Sequence, residues 1–213
     1  MKQSAVIFIE KATPASITEF HDILSNDLLS IKEKWSFEFK TFRFAVKNLP
    51  PQDPKLMHSI TFTHRGNQTV IIKNKSAVVT SSPAADPPQQ LTFNSCSTGA
   101  PESFDTILTT KLSNLWTQRQ SIKGDFGSTF LTTDLIIRAT NVFSYGGFKG
   151  LLIELECNDG ASISDFEKRI ERVRSHLYGI SLREIKICRD VMDTTKPNFL
   201  CDLAYQYIKV LEI

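Results

Sequence analysis

Pro101-Glu-Ser-Phe-Asp-Thr-Ile-Leu-Thr-Thr-Lys-Leu-Ser-Asn-Leu-Trp-Thr-Gln-Arg-Gln-Ser-Ile-Lys123 is the stretch on which the fold turns. It is the body of a segment over 94–127 with strand-like runs on both sides. Phe104, Ile107, Leu108, Leu112, Leu115 and Trp116 recur at three- and four-residue steps, which predicts one long amphipathic helix over 101–123. Pro101 suits the first helical position, and Glu102 and Asp105 suit the positive end of the helix dipole. Lys123-Gly124 reads as the stop. Such a helix would run about 34 Å at 1.5 Å per residue. Its other face carries Thr109, Thr110, Ser113, Asn114, Thr117, Gln118 and Gln120, with Lys111 and Arg119 as its charges. That face reads either as a solvated polar surface or as one covered by a second layer.

Outward from this segment the chain is mostly strands. Ser4–Glu10 is a buried apolar run, and Thr13-Pro14 opens a helix carrying Ile17, Phe20, Ile23, Leu24 and Leu28. In 35–46 the aromatic phase changes: Trp35, Phe37 and Phe39 alternate on one face, then Phe42, Phe44 and Val46 on the other. A bulge near Lys40-Thr41 would keep one face inward; otherwise another chain covers one aromatic set. Met57–His64 and Gln68–Lys73 form a hairpin through Arg65-Gly66-Asn67, and Ala77–Thr80 extends the meander. Residues 81–90, with Pro83, Pro87 and Pro88, read as a flexible polar loop, and Leu91–Asn94 as a short strand. Thr129–Thr140 and Phe148–Cys157 pair through Ser144-Tyr145-Gly146-Gly147. A helix follows from Ser162 or Ser164 to Gly179. Ser181–Cys188 is weakly strand-like, and the chain closes on a helix with Leu200, Leu203, Ala204, Tyr207, Val210 and Leu211. The expected class is α+β: one domain over 1–213, mainly an antiparallel β-sheet closed or nearly closed into a barrel, with about four helices packed on it.

Composition narrows the function. Of 213 residues, 25 are basic and 23 acidic, a net charge of +2 that gives no reason to expect a large nucleic-acid or membrane footprint. Fifteen Phe against four Tyr and two Trp point to a Phe-rich core. Cys96, Cys157, Cys188 and Cys201 form no Cys-x-x-Cys pair, which suits reduced thiols in the cytosol or nucleus. No run reaches transmembrane length.

Few residues could carry chemistry. Glu154-x-Glu156 puts two carboxylates on one strand face, as barrels that hydrolyse triphosphates use to hold a divalent cation. Facing strands offer Ile60, Phe62, Val70, Ile72, Leu131 and Leu135 rather than more acids, so a solvated polar face is the simpler reading. His58 and His64 lie roughly 20 Å apart along a strand, too far for one metal. His21 and His176 sit on helices with no second ligand in step. Gly146-Gly147-Phe148-Lys149-Gly150 reads as a turn, since no helix follows to meet a phosphate. Lys168, Arg169, Arg172 and Arg174 alternate with Glu167 and Glu171 as a solvated helix face. No Ser or Cys has a His and an acid in nucleophile order. No cofactor, metal or catalytic residue is expected.

A resemblance runs through nearly the whole chain, weakest over 14–34, 81–90 and 158–199. It rests on Ser4-Ala-Val-Ile-Phe-Ile-Glu-Lys-Ala-Thr-Pro, Lys47-Asn-Leu-Pro, Leu56-Met-His-Ser-Ile-Thr-Phe-Thr-His and Gln68-Thr-Val-Ile-Ile-Lys. Phe93-Asn, Ser97-Thr-Gly, Pro101-Glu-Ser, Lys111-Leu-Ser-Asn-Leu-Trp, Gln118-Arg-Gln and Ile122-Lys-Gly-Asp continue it. Gly147-Phe-Lys-Gly-Leu-Leu-Ile-Glu-Leu and Cys201-Asp-Leu-Ala-Tyr-Gln-Tyr close it. In these stretches the chain resembles the fungal Mediator subunit 20 family.

The resemblance implies a β-barrel with helices and a non-catalytic, nuclear, structural subunit of the Mediator head module. It further implies a heterodimer with Mediator subunit 18, attachment through a C-terminal segment of Mediator subunit 8, and a role coupling activators to RNA polymerase II initiation. Phe42, Phe44 and Tyr145, on a second strand face or an exposed turn, are the expected partner contacts. The reading of a different class is a metal-dependent phosphohydrolase of the triphosphate-tunnel kind, using Glu154 and Glu156.

Overall fold

A computed structural model describes residues 2–45, 55–74, 76–81, 104–157 and 160–212. In chain order they form β1 (Gln3–Ile9), α1 (Ser16–Leu24), β2 (Leu28–Phe44), β3 (Leu56–Phe62), β4 (Gln68–Lys73) and β5 (Ser76–Ser81). Next come α2 (Phe104–Thr110), β6 (Trp116–Thr132), β7 (Ile136–Ser144), β8 (Gly147–Cys157), α3 (Ile163–Gly179), β9 (Ile185–Cys188) and α4 (Phe199–Leu211). The pairs β1–β8, β1–β9, β3–β4, β4–β5, β6–β7 and β7–β8 are antiparallel. The hydrogen-bonded order is β5-β4-β3-β2-β6-β7-β8-β1-β9, so the sheet is open and the expected closure into a barrel is not found. Closing it would need β5 to pair with β9, which has only four residues. The described residues pack as two compact units, Met1–Glu38 with Ile122–Ile213, and Phe39–Ser121.

The long helix over 101–123 is replaced by a short helix and a long strand. α2 spans seven residues, a turn runs over Lys111–Leu115, and β6 begins at Trp116. The polar face of the expected helix explains the outcome. Thr109 and Thr110 turn their hydroxyls back onto the Asp105 and Thr106 carbonyls at 2.9 and 2.6 Å. The turn then closes through the Leu112 N–H onto Ile107 O and the Leu115 N–H onto Leu112 O. From Trp116 the exposure alternates with strand period, Thr117 and Arg119 out, Gln118 and Gln120 partly in. Lys123 is a strand residue paired with Glu38 at 3.1 Å rather than a helix end. Pro101, Glu102, Val46, the 47–50 stretch, the 81–90 loop beyond Ser81, and Leu91–Asn94 lie outside the described residues.

In the first unit β1 lies between β8 and the short edge strand β9. It pairs with β8 in the register Gln3↔Cys157 to Ile9↔Leu151, and with β9 from Val6↔Cys188 to Ile9↔Ile185. Ala5, Ile7 and Ile9 join Ile137, Ala139, Ile153 and Leu155 in a core covered by Phe20 and Leu24 of α1 and by Phe166, Ile170, Val173 and Leu177 of α3. Ser162 is the N-cap of α3, its hydroxyl accepting the Asp165 N–H at 3.1 Å. The expected strand over 129–140 is in fact the end of β6 and the start of β7. Thr132 makes the corner, its hydroxyl accepting the Leu135 N–H at 3.1 Å. Asp134 in that corner accepts from Arg169, through its carbonyl, and from Arg172, at 2.8 and 2.6 Å.

α4 packs on β1 and β9. Its sequence reads as amphipathic, yet Cys201, Asp202, Leu203, Ala204, Gln206, Tyr207, Ile208, Val210 and Leu211 are all buried, so it is enclosed almost all round. Asn198 caps it, its side-chain oxygen accepting the Leu200 and Cys201 N–H groups at 3.1 Å each. Asn198→Ala is therefore expected to lower the unfolding free energy by about 1 kcal/mol in urea titration with an unchanged m-value.

In the second unit β3 and β4 pair from His58↔Ile72 to Phe62↔Gln68, and β5 continues the meander, Gln68↔Ser81 to Lys73↔Ser76. The phase change in β2 has a local cause. Thr41 stays in the inward series and touches His58 Nδ1 at 3.3 Å. Phe42 points the other way and is covered by the chain's own α2, in a cluster with Met57, Ile71 and Leu108. Neither another chain nor a flipped strand is needed at Phe42, because both faces of β2 are buried there.

Candidate functional site

The pair Glu154 and Glu156 sits on β8, beside Val6 and Ser4 of β1 and Arg138 and Ile136 of β7. Strand alternation puts both carboxylates on one face, as the sequence predicts. The face is not solvated, however: Glu154 is 0% and Glu156 2% exposed. Arg138 Nη1 donates to Glu154 Oε1 at 2.7 Å and to Glu156 Oε2 at 2.8 Å. The Tyr207 hydroxyl of α4 donates to Glu154 Oε2 at 2.7 Å, and Lys2 Nζ sits 2.6 Å from Glu156 Oε1. Every carboxylate oxygen has a protein partner, so desolvation is offset within the chain. Gln206 extends the layer, accepting from the Ser4 hydroxyl at 2.9 Å and donating to the Ser4 carbonyl at 3.1 Å.

This geometry argues against the phosphohydrolase reading. A divalent cation needs carboxylate oxygens with free lone pairs and room for several more oxygen ligands. Here a guanidinium occupies the space between the two carboxylates, and a phenol and an ammonium take the outer oxygens. Among the described residues no three of His, Cys, Asp and Glu gather as metal ligands. The pair is a structural tie between β7, β8, the start of β1 and α4.

The other titratable candidates also serve packing. His21 stacks on Phe130 at 5.0 Å, and His58 stacks on Phe39 at 5.7 Å. His64 lies in the turn after β3, not on the strand with His58, and meets Phe62 edge-on at 5.9 Å. The basic string on α3 is held by its own neighbours: Lys168 with Asp165 at 3.0 Å, Arg174 with Glu171 at 2.7 Å. The Ser162 hydroxyl and Lys168 hold the Asp165 carboxyl below its ordinary value. Cys157, Cys188 and Cys201 are buried and form no disulfide with one another; Arg169 Nη1 donates to Cys157 Sγ at 3.0 Å, and burial pushes the thiols of Cys188 and Cys201 up, away from thiolate reactivity.

The expected partner contacts divide. Phe42 is wholly buried and offers no surface, which removes it from the contact set. Phe44 is half-buried against Trp116, ring centroids 4.9 Å apart. Tyr145, in the β7–β8 turn, is 91% exposed. Phe126, 83% exposed on β6, is not among the contacts expected from the sequence, because it lies just past Lys123-Gly124, which reads there as the end of a helix. Glycines at 124 and 127, on either side of an aromatic residue, were the available signal for a bulged strand.

Comparison with known proteins gives a match over the whole chain. A family model described as the TATA-binding related factor (TRF) of subunit 20 of Mediator complex matches residues 1–212. A Mediator of RNA polymerase II transcription subunit 20 from Eremothecium gossypii is 59% identical over 212 residues, covering 100% of both chains. One of the same name from Saccharomyces cerevisiae is 52% identical over 213 residues, again covering 100% of both. Among solved structures, a chain of the Schizosaccharomyces pombe Mediator head module is similar at 8% identity and a TM-score of 0.43, over 84% of this chain and 96% of that one, a likeness too slight to build on.

Proposed function

Since the chain belongs to the Mediator subunit 20 family, we propose that it is a non-catalytic interaction subunit of the Mediator head module. In this reading it forms a heterodimer with Mediator subunit 18, is tied in by a C-terminal segment of Mediator subunit 8, and helps couple activators to RNA polymerase II initiation in the nucleus. The observation that carries the proposal is full-length similarity to relatives all named as Mediator subunit 20. The site chemistry supports it as well, because the carboxylate pair Glu154 and Glu156 is spent on ion pairs inside the chain. Tyr145 and the open part of Phe44 are its proposed contact residues. Aromatic side chains suit this role: they bring large apolar area at little conformational cost.

The test is purification of the tagged full-length protein from native nuclear extract, with the co-purifying chains identified. Fixed-ratio recovery of Mediator subunits, subunit 18 among them, is the expected result. Recovery as a lone monomer would overturn the proposal.

A further inference from the structure

β6 holds an aromatic residue in a backbone conformation that side chains of its type avoid. Phe126 has φ +56°, and among the described residues the other non-glycine residues at positive φ are two asparagines and a serine. An L-residue there carries about 1–2 kcal/mol of strain. The ring recovers little of it inside the chain, being 83% exposed. The cause is a bulge. Gly124 faces Val142 and Ser128 faces Ala139, so β6 has one more residue than β7 between those pairs. The bulge is fixed from below: a Cβ on Gly124 would lie 2.5 Å from Phe37 Cε1, and one on Gly127 2.5 Å from Trp35 Nε1. Trp35 Nε1 donates to the Ser128 carbonyl at 3.2 Å, and the Phe126 N–H donates to Ser36 Oγ at 3.3 Å. Phe126 is therefore a fixed knob that cannot turn inward without dislodging two buried rings.

The knob borders a cleft of about 270 Å³ lined by Ile17 and His21 of α1, Asp125 and Phe126 of β6, and Asn141 of β7. Asn141 donates to the Pro14 carbonyl at 3.0 Å, so the chain leading into α1 still covers β7 there. Two residues on, on the same strand face, Phe143 is 44% exposed, and Tyr145 beyond it 91%. Phe143 packs edge-on against Phe148 at 5.6 Å, which steadies it.

We propose that Phe126, Phe143 and Tyr145, with the cleft beside Phe126, form the face on which the partner subunit of the heterodimer sits. This inference rests on the heterodimer reading above and names its place on the fold. The occupant is a folded protein that inserts an apolar side chain beside Phe126 and closes over the two aromatics of the β7–β8 hairpin. The exposed parts of the three rings supply on the order of 400 Å², about half of the roughly 800 Å² that each side of a stable interface buries. The bulge sets the place of Phe126 and Phe148 steadies Phe143, so less ordering is lost on binding at these two anchors.

The test uses the full-length chain and full-length Mediator subunit 18 in titration calorimetry, with Phe126→Gly and Tyr145→Ala as variants. Glycine relieves the strained φ while deleting the anchor. Phe126→Gly is therefore expected to melt at or above the wild-type temperature and yet bind at least tenfold more weakly. A ring with only a structural role would lower both or neither. Wild-type binding with both variants within threefold of it would overturn the face while leaving the heterodimer intact. No wild-type complex would overturn the heterodimer reading and this inference together. A homodimer of the wild type that Phe126→Gly abolishes in light scattering would give the face to a second copy, and would also overturn it.

Discussion

Arg138→Met is expected to lower the unfolding free energy by about 3–5 kcal/mol, the loss typical when one partner of a buried ion network is removed. The guanidinium bridges Glu154 and Glu156 at 2.7 and 2.8 Å on a face where both carboxylates are buried. Met fills similar volume but donates nothing. Glu156 keeps Lys2, whose side chain is 43% exposed and worth correspondingly less. Glu154 keeps one phenolic hydrogen bond from Tyr207. Two negative charges would then face each other in a low-dielectric layer. Urea titration of the full chain measures the loss, and at this chain length roughly 10 °C of melting temperature should go with it. The network origin has its own check. Combining Arg138→Met with Glu154→Gln and Glu156→Gln removes the unpaired charges, so the triple variant should recover at least half of the loss. An Arg138→Met protein within about 1 kcal/mol of wild type would show that water reaches the carboxylates and that the network is dispensable.

The network also explains how far sequence alone could lead. Alternation put Glu154 and Glu156 on one side of β8, and that placement is correct. What covers that side depends on α4, some fifty residues later, whose Tyr207 and Gln206 carry the polar groups that make burial of a charged face tolerable. A periodicity count treats Tyr207 as one apolar position and cannot show that its hydroxyl is the partner of a distant carboxylate.

Elements with local signals were read correctly in type: β1, the β3–β4–β5 meander, the β7–β8 hairpin, α3, whose cap is Ser162 of the two serines the sequence offers, and α4. The failure over 101–123 was one of period. Ile107, Leu108, Leu112, Leu115 and Trp116 are spaced as in a helix, but only the first two lie in α2. Leu112 and Leu115 close a turn, and Trp116 starts a strand that packs on Phe44. The evidence against a helix was on its polar side, where threonines, serine and asparagine favour local hydrogen bonds and extended backbone over helix. Phe42 shows a related limit. A two-state inside-or-outside pattern has no place for a strand buried on both faces by its own chain. Similarity across the whole chain gives the family, yet the short-range patterns give no interface, since exposure of an aromatic such as Phe126 depends on a bulge set by Trp35 and Phe37 far away in sequence.

Gly150→Ala is expected to be the most damaging single-methyl change in the first unit, by about 3–5 kcal/mol if overpacking and backbone strain add. Gly150 opens the long pairing of β8 with β1, at a register break where Val142 faces Gly150 but Phe143 faces Phe148. Its φ is +152°, a region essentially closed to other residues, and a Cβ there would stand 2.4 Å from the Ile9 carbonyl oxygen and 2.9 Å from Phe8 Cε2. The oxygen is backbone in β1, held between β8 and β9, so it cannot swing aside as a side chain would. Relief requires pushing β1 away from β8, which loosens both buried layers of the unit, the apolar one under α1 and α3 and the ionic one under α4. Gly147→Ala separates the two causes. Gly147 also has a positive φ, +95°, but nothing lies within 4 Å of its added Cβ. It should therefore show the strain alone, about 1–3 kcal/mol. Equal losses for the two variants in urea titration would mean that β1 yields to the methyl group, and that the close approach at Ile9 does not set the position of β1 on β8.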